Sequence, residues 1–196
     1  NNVDLDTQLR IANVSASPAT VHVYIGEDEM TGSPFTLAGG ESTRKSFAGI
    51  NAGPVRIESD HGVPIVAAER LIYKVNGLNT SFSEMMALPD KQLDTTYWFP
   101  YYNNVDFDSQ LRFANVGSST ATIRIYAGGI EITNNCAPLS GPLAAGASIR
   151  VACAGVNTGP VKVVSTGNIV AAQRFIYKVN GVNTSFSEMM GLPNSQ

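Results

Sequence analysis

Charge is scarce in this 196-residue chain. Only 15% of its residues are Asp, Glu, Lys or Arg, against about 25% in ordinary soluble domains. The net charge is −3 and Lys and Arg form no cluster, which argues against nucleic acid or an anionic membrane as partner. No apolar run approaches the ~20 residues of a bilayer-spanning helix, so no membrane span is expected. The first residue is Asn, so any signal peptide is expected to have been removed or to lie outside this sequence. Sustained helical periodicity is missing, although Ser83–Leu88 has room for one helical turn. The nucleophile elbow Gly-x-Ser-x-Gly, the zinc pair His-Glu-x-x-His and a phosphate-binding glycine loop are all missing too. The histidines, His22 and His61, are expected to be ordinary polar-face and loop residues. Nothing here asks for an enzyme, and no catalytic residue is assigned.

What the chain does contain is a repeat. Residues 1–14 match residues 103–116 at 11 of 14 positions, at an offset of 102. Residues 70–89 match residues 174–193 at 17 of 20 positions, and the differences (Leu71/Phe175, Leu78/Val182, Ala87/Gly191) are all apolar or small. A period near 100 residues is the size of a domain rather than of a solenoid unit. The reading is therefore two tandem domains, residues 1–92 and 93–196, each long enough to bury its own core.

The pattern within each copy is β. Gln8–Val14 and Thr20–Ile25 alternate as strands do, and Thr122–Tyr126 keeps the alternation of the second. Gly39-Gly40 and Ala145-Gly146 mark turns before Ser42–Phe47 and Ser148–Cys153. Gly53-Pro54-Val55 and Gly159-Pro160-Val161 each open a further strand. Ile65–Val75 and Ile169–Val179 run into Asn76-Gly77 and Asn180-Gly181, the residues a type I′ hairpin turn requires. Roughly seven short strands per copy point to an all-β chain of two tandem immunoglobulin-like β-sandwich domains.

Cys136 and Cys153 both lie in the second copy. In a cytosolic protein such a pair would more often be free thiols or half of a metal site. Here Cys153 aligns with Phe47, an apolar core position, and a Cys in a strand core is well placed to link neighbouring strands. The expectation is a disulfide, and with it an extracellular or cell-surface setting.

Three further features narrow the reading. Asp4 and Asp6, like Asp106 and Asp108, are carboxylates two apart on an extended segment, the arrangement from which Ca²⁺ takes oxygen ligands. Two per site is too few, so these are weak candidates against a solvated or Arg-paired acidic turn, and no other cofactor is expected. Asn79, Asn183 and Asn13 each begin an N-x-Ser/Thr triplet and are candidate acceptors for covalent glycans. Arg70 with Glu84, and Arg174 with Glu188, face each other across the expected hairpins as candidate half-buried ion pairs.

The third feature is Tyr97-Trp98-Phe99-Pro100-Tyr101-Tyr102, which carries the chain's one Trp. Its aromatics are nearly contiguous, so both faces of the strand are expected to be covered. Pro100 removes a backbone donor and implies an edge or a bend. With Arg112-x-x-Asn115, Gly159-Pro160-Val161, Gln173-Arg174-Phe175-Ile176-Tyr177 and Ser185-Phe186-Ser187-Glu188, this segment resembles the tandem repeats of secreted bacterial surface proteins, which are strung in series. The first copy matches at Gly53-Pro54-Val55, Glu69-Arg70-Leu71-Ile72-Tyr73 and Ser81-Phe82-Ser83-Glu84. The chain departs from that pattern in having Tyr101 where Trp is expected, and in lacking the aromatic motif in the first copy.

That lack has a consequence. The aromatic strand occurs once between two copies, so one copy is expected to be a strand short, exposing an apolar groove with unpaired N–H and C=O groups. A head-to-tail contact made through such a groove does not close, and generates a filament. The expected function is a structural subunit of an extracellular filament or surface layer, with other copies of itself as partner, assembled by strand addition or as part of a longer array. The alternative is an adhesin or carbohydrate-binding module that uses Tyr97–Tyr102 or the loop tips.

Overall fold

A computed structural model describes residues 2–3 and 5–195. It is all-β, built from antiparallel sheets, and separates into two compact units, Asn1–Ala87 and Leu88–Gln196. The division thus falls after Ala87, and the turn at Asp90–Gln92 goes with the second unit. Among the described residues no helix is long and apolar enough to cross a membrane.

The first unit runs β1 (Asp6–Asn13), β2 (Ala19–Ile25), β3 (Asp28–Glu29), β4 (Phe35–Leu37), β5 (Ser42–Lys45), β6 (Val55–Ser59), β7 (Ile65–Val75) and β8 (Leu78–Met86). One sheet has the order β5-β1-β7-β8; in the other, β2 pairs β3 and β4 along one edge and β6 along the opposite edge. Strand alternation sends every second side chain inward. Leu9 and Ile11 from the first sheet therefore meet Ala19, Val21 and Val23 from the second in one core.

The second unit runs β9 (Asp94–Phe99), β10 (Tyr102–Asn103), β11 (Asp108–Asn115), β12 (Ile123–Ala127), β13 (Ile130–Glu131), β14 (Cys136–Ala137), β15 (Ser148–Cys153), β16 (Asn157–Thr158), β17 (Val161–Val179), β18 (Val182–Met190) and β19 (Leu192–Pro193). It keeps the first unit's registers: Leu111 faces Gln173 as Leu9 faces Glu69, and Arg174 faces Glu188 as Arg70 faces Glu84. The type I′ hairpins form as read, with φ of 51° and 79° at Asn76-Gly77 and 52° and 78° at Asn180-Gly181.

Two local expectations give way. Ser83–Leu88 holds no helical turn, because Ser83–Met86 completes β8, whose pairing with β7 satisfies the backbone. The strands expected apart at Val161 and Ile169 are one strand of 19 residues, with a register shift between Val164 and Ile169. Two extra residues in the first copy break the same stretch into β6, a 3₁₀ turn at Asp60–Gly62 and β7, with His61 at φ 55°.

Cys136 and Cys153 form a disulfide between directly paired residues of β14 and β15. The bond closes a loop of sequence separation 17, which the chain-entropy account values at about 3 kcal/mol. Replacing both cysteines with serine is expected to lower the second unit's stability by about that amount. Urea unfolding followed by Trp98 fluorescence measures it, and added reductant should reproduce the loss in the unaltered chain.

Candidate functional site

The joining strand β9 is central rather than peripheral to the second unit. It pairs with β17 on one side, Phe99 opposite Val161 and Tyr97 opposite Val163, and with β19 on the other. Tyr97 and Phe99 point inward and are 0% and 1% exposed. The Tyr97 hydroxyl donates to the Ile169 carbonyl at 2.6 Å and accepts from the Asp94 N–H at 3.1 Å. Past Pro100 the chain bends, which resets the phase of alternation, so Tyr102 also points inward and is 0% exposed. Its hydroxyl donates to the Ser109 carbonyl at 2.7 Å and accepts from the Cys153 N–H at 2.8 Å. Burial pushes both phenols above their ordinary pKa, so they stay neutral.

The outer face is different. Trp98 is half-buried; Lys162 Nζ lies 5.3 Å from its ring centre and its indole N–H donates to Asn194 Oδ1 at 3.0 Å. Tyr101 is 45% exposed, its hydroxyl bonded to Asn157 and its carbonyl accepting from Gln173 Nε2 at 2.9 Å. The expectation that both faces are covered therefore holds only for the inward one: strand alternation puts Tyr97 and Phe99 in the core and Trp98 on the outer face, and the bend at Pro100 then turns Tyr102 rather than Tyr101 inward.

The equivalent edge of the first unit has no such strand among the described residues. Val55–Ile57 on β6 corresponds to Val161–Val163, yet β6 pairs only with β2. Val55 is 40% exposed where Val161 is 0%. Ile57, Ile65 and Ala67 are half-buried, whereas Val163, Ile169 and Ala171 are fully buried. Unpaired backbone beside an incompletely covered apolar stripe is what a strand-accepting edge requires. Sequence reasoning foresaw a missing strand but not which residues would line the gap; the signal was Val55 and Ile57 aligned with core positions.

The remaining candidates fare unevenly. Asp4 lies outside the described residues. Asp6 and Asp108 each approach a lysine, Lys74 and Lys178, at 3.9 Å. Asp106 accepts from the side-chain amides of Asn103 and Asn157 at 3.0 and 3.3 Å. Among the described residues no three acidic, His or Cys side chains gather around a point where a cation would sit. Asn79 is exposed and Asn183 half-buried on the outgoing hairpin strands. Asn13 is 1% exposed, and its amide donates to the carbonyls of Ser17, Leu37 and Ala38. It braces a turn, and as folded it offers no accessible nitrogen for a glycan.

Both Arg–Glu pairs form. Arg70 Nε meets Glu84 at 2.7 Å with the side chains 28% and 41% exposed, and Arg174 meets Glu188 at 2.7 Å with 7% and 4%. Each guanidinium lies 4.9 Å from a phenyl ring centre, Phe82 or Phe186.

His22 bridges two carboxylates on the first unit, Glu29 at 2.7 Å and Asp60 at 3.2 Å. The hydrogen bond that its ring N–H donates to Glu29 is the main cause of its raised pKa, and the same bond lowers that of Glu29. A raised His contributes stability that is fully present below its ordinary pKa of about 6.5 and lost as pH rises through the folded value. A lowered Glu contributes stability present above about pH 4.3 and lost as pH falls through its folded value. The first unit is therefore expected to lose thermal stability as pH rises from about 6.5 through the raised value of His22. A His22→Asn variant, melted across that range, should show a flatter profile.

The second unit also carries a shallow aromatic depression of about 330 Å³, lined by Phe107, Phe175, Tyr177, Phe186 and two serines. Phe107 packs edge-on to Phe175 at 6.4 Å and tilted to Tyr177 at 6.2 Å.

No family model and no curated protein matches the chain. Among solved structures, an anti-sigma factor domain-containing protein aligns over 100% of this chain and 79% of its own, at 8% identity and a TM-score of 0.25. A likeness that slight carries no argument.

Proposed function

We propose that the chain is a structural subunit of an extracellular bacterial filament or surface layer, built as two tandem immunoglobulin-like β-sandwich domains. Adjacent subunits join when an extended segment is laid along β6 of the first unit, whether from another chain or from a longer array. One observation carries this reading: the same edge is filled by β9 in the second unit and unpaired in the first. The disulfide supports the extracellular setting, and glycans on Asn79 and Asn183 suit a surface protein. Negative-stain electron microscopy of the native material tests the proposal. Linear arrays with a two-domain repeat are expected, and monodisperse particles of single chains would sink it.

A second reading, a carbohydrate-binding or adhesive module, draws on the Phe107–Tyr177 depression rather than on Tyr97–Tyr102, whose inward rings are buried. Glycan-array binding lost in Tyr177→Ala, with folding intact, would favour it.

A further inference from the structure

If the open edge of the first unit accepts a strand, its side chains also specify what kind. This step rests on the strand-addition reading and goes beyond it: we infer that the edge rejects a strand of the chain's own Tyr-x-Phe-Pro-x-Tyr type. It takes instead one with small aliphatic residues at the positions of Phe99 and Tyr102.

Three substitutions between the copies bear on the edge, two of them on its selectivity, and each lies where β9 or its continuation touches the second unit. The first is at Gly191. Its N–H donates to the Ala171 carbonyl at 2.8 Å, and a Cβ there would lie 2.8 Å from Cζ of Phe99. The matching N–H in the first unit, that of Ala87, donates to the Ala67 carbonyl at 2.9 Å. The backbone is hooked in the same way, so the methyl group of Ala87 occupies the place where the end of a Phe99-like ring would sit. The contact lies well inside van der Waals distance, and overpacking of this kind is costly.

The second is at Gln173, whose Nε2 donates to the Tyr101 carbonyl at 2.9 Å. Glu69 stands at the matching position, opposite Leu9 as Gln173 is opposite Leu111. A carboxylate lacks the N–H with which Gln173 holds that carbonyl, so this position offers less to any strand and does not choose between strands. The third is at Cys153, whose N–H holds the Tyr102 hydroxyl. Its counterpart is the larger Phe47, half-buried beside Leu9, Ile50 and Val55 around a cleft of about 40 Å³. That is room for about two or three waters, and less than a phenol ring fills.

One position is unchanged. A Cβ on Gly159 would lie 2.3 Å from the Pro100 carbonyl oxygen, so the second unit needs glycine where the joining segment's backbone passes. The first copy keeps glycine there, at Gly53. The backbone path is retained while the side-chain pockets are remade, which is how a site changes partner rather than closes.

The test uses the whole chain and two synthetic peptides. One has the sequence of residues 94–102; the other carries Phe99→Val and Tyr102→Val. Isothermal titration calorimetry and amide exchange of β6 read the binding. The unaltered protein should bind the aliphatic peptide about tenfold or more tightly than the aromatic one. Ala87→Gly should strengthen binding of the aromatic peptide only, and Glu69→Gln should strengthen both several-fold by supplying a donor to the facing carbonyl. Equal or tighter binding of the aromatic peptide by the unaltered protein overturns the selectivity and leaves strand addition standing. Binding of neither peptide, by the unaltered protein or by either variant, overturns strand addition itself.

Discussion

Replacing Phe99 with alanine is expected to lower the stability of the second unit by about 3–5 kcal/mol while leaving the unfolding midpoint of the first unit unchanged. The side chain is 1% exposed and its strand sits between β17 and β19, so no neighbour can collapse into the space without breaking pairing. Gly191 opposite has no side chain to fill the gap. The loss combines apolar transfer with an unfilled cavity. Because Trp98 is the only Trp and belongs to β9, its fluorescence in urea reports the second unit alone. Amide exchange of β1 and β7 reports the first. A loss below about 1 kcal/mol would mean that β9 is an ornament on a sandwich already complete without it.

The second large effect is at Glu188. Its pairing with Arg174 is shut away, with side chains 7% and 4% exposed. Glu188→Ala leaves a guanidinium without its counter-charge in a poorly solvated place, a change that typically costs about 3–5 kcal/mol. The same substitution at Glu84, whose side chain is 41% exposed against 28% for Arg70, leaves a charge that water can reach and should cost about 1 kcal/mol or less. Two copies of one ion pair, in one register and one chain, separate the effect of burial from that of geometry. Urea unfolding of the two single variants makes the comparison, and equal losses would show that burial does not govern the pair.

Much of the fold was legible because its signals are local. Asn76-Gly77 and Asn180-Gly181 announce their turns through the one conformation both residues accept, and that fixes the facing of Arg70 with Glu84 and of Arg174 with Glu188. The cysteines could be paired because one of them replaced a core residue of the other copy. The misreadings have a common source in side chains whose surroundings are distant in sequence. The aromatic run looked like a strand covered on both faces because nothing in Tyr97–Tyr102 says whether a second surface lies over its outer face, where Trp98 is half-buried and Tyr101 exposed. Asn13 satisfies a glycosylation pattern, yet its amide is bound to carbonyls up to 25 residues away. The pair Ala87/Gly191 reads as a trivial difference between small residues. It acquires meaning only once Phe99 is known to lie against the second and not the first.

The pairing of β9 with β19 also sets a timetable. Strand β9 begins at Asp94, six residues into its unit, yet one edge of it waits for Leu192 and Pro193, and the carboxylate of Asp94 waits for the N–H of Ser195. As the chain is made from its N-terminus, those aromatics emerge about a hundred residues before their last partner, and contacts so far apart in sequence form slowly. The first unit asks for no such delay, since every strand that pairs within it has been made once β8 appears, its β6 edge staying open. During synthesis the two copies, so alike in sequence, therefore run on different clocks: one has paired its own strands by the time β8 appears, the other only when its final strand arrives.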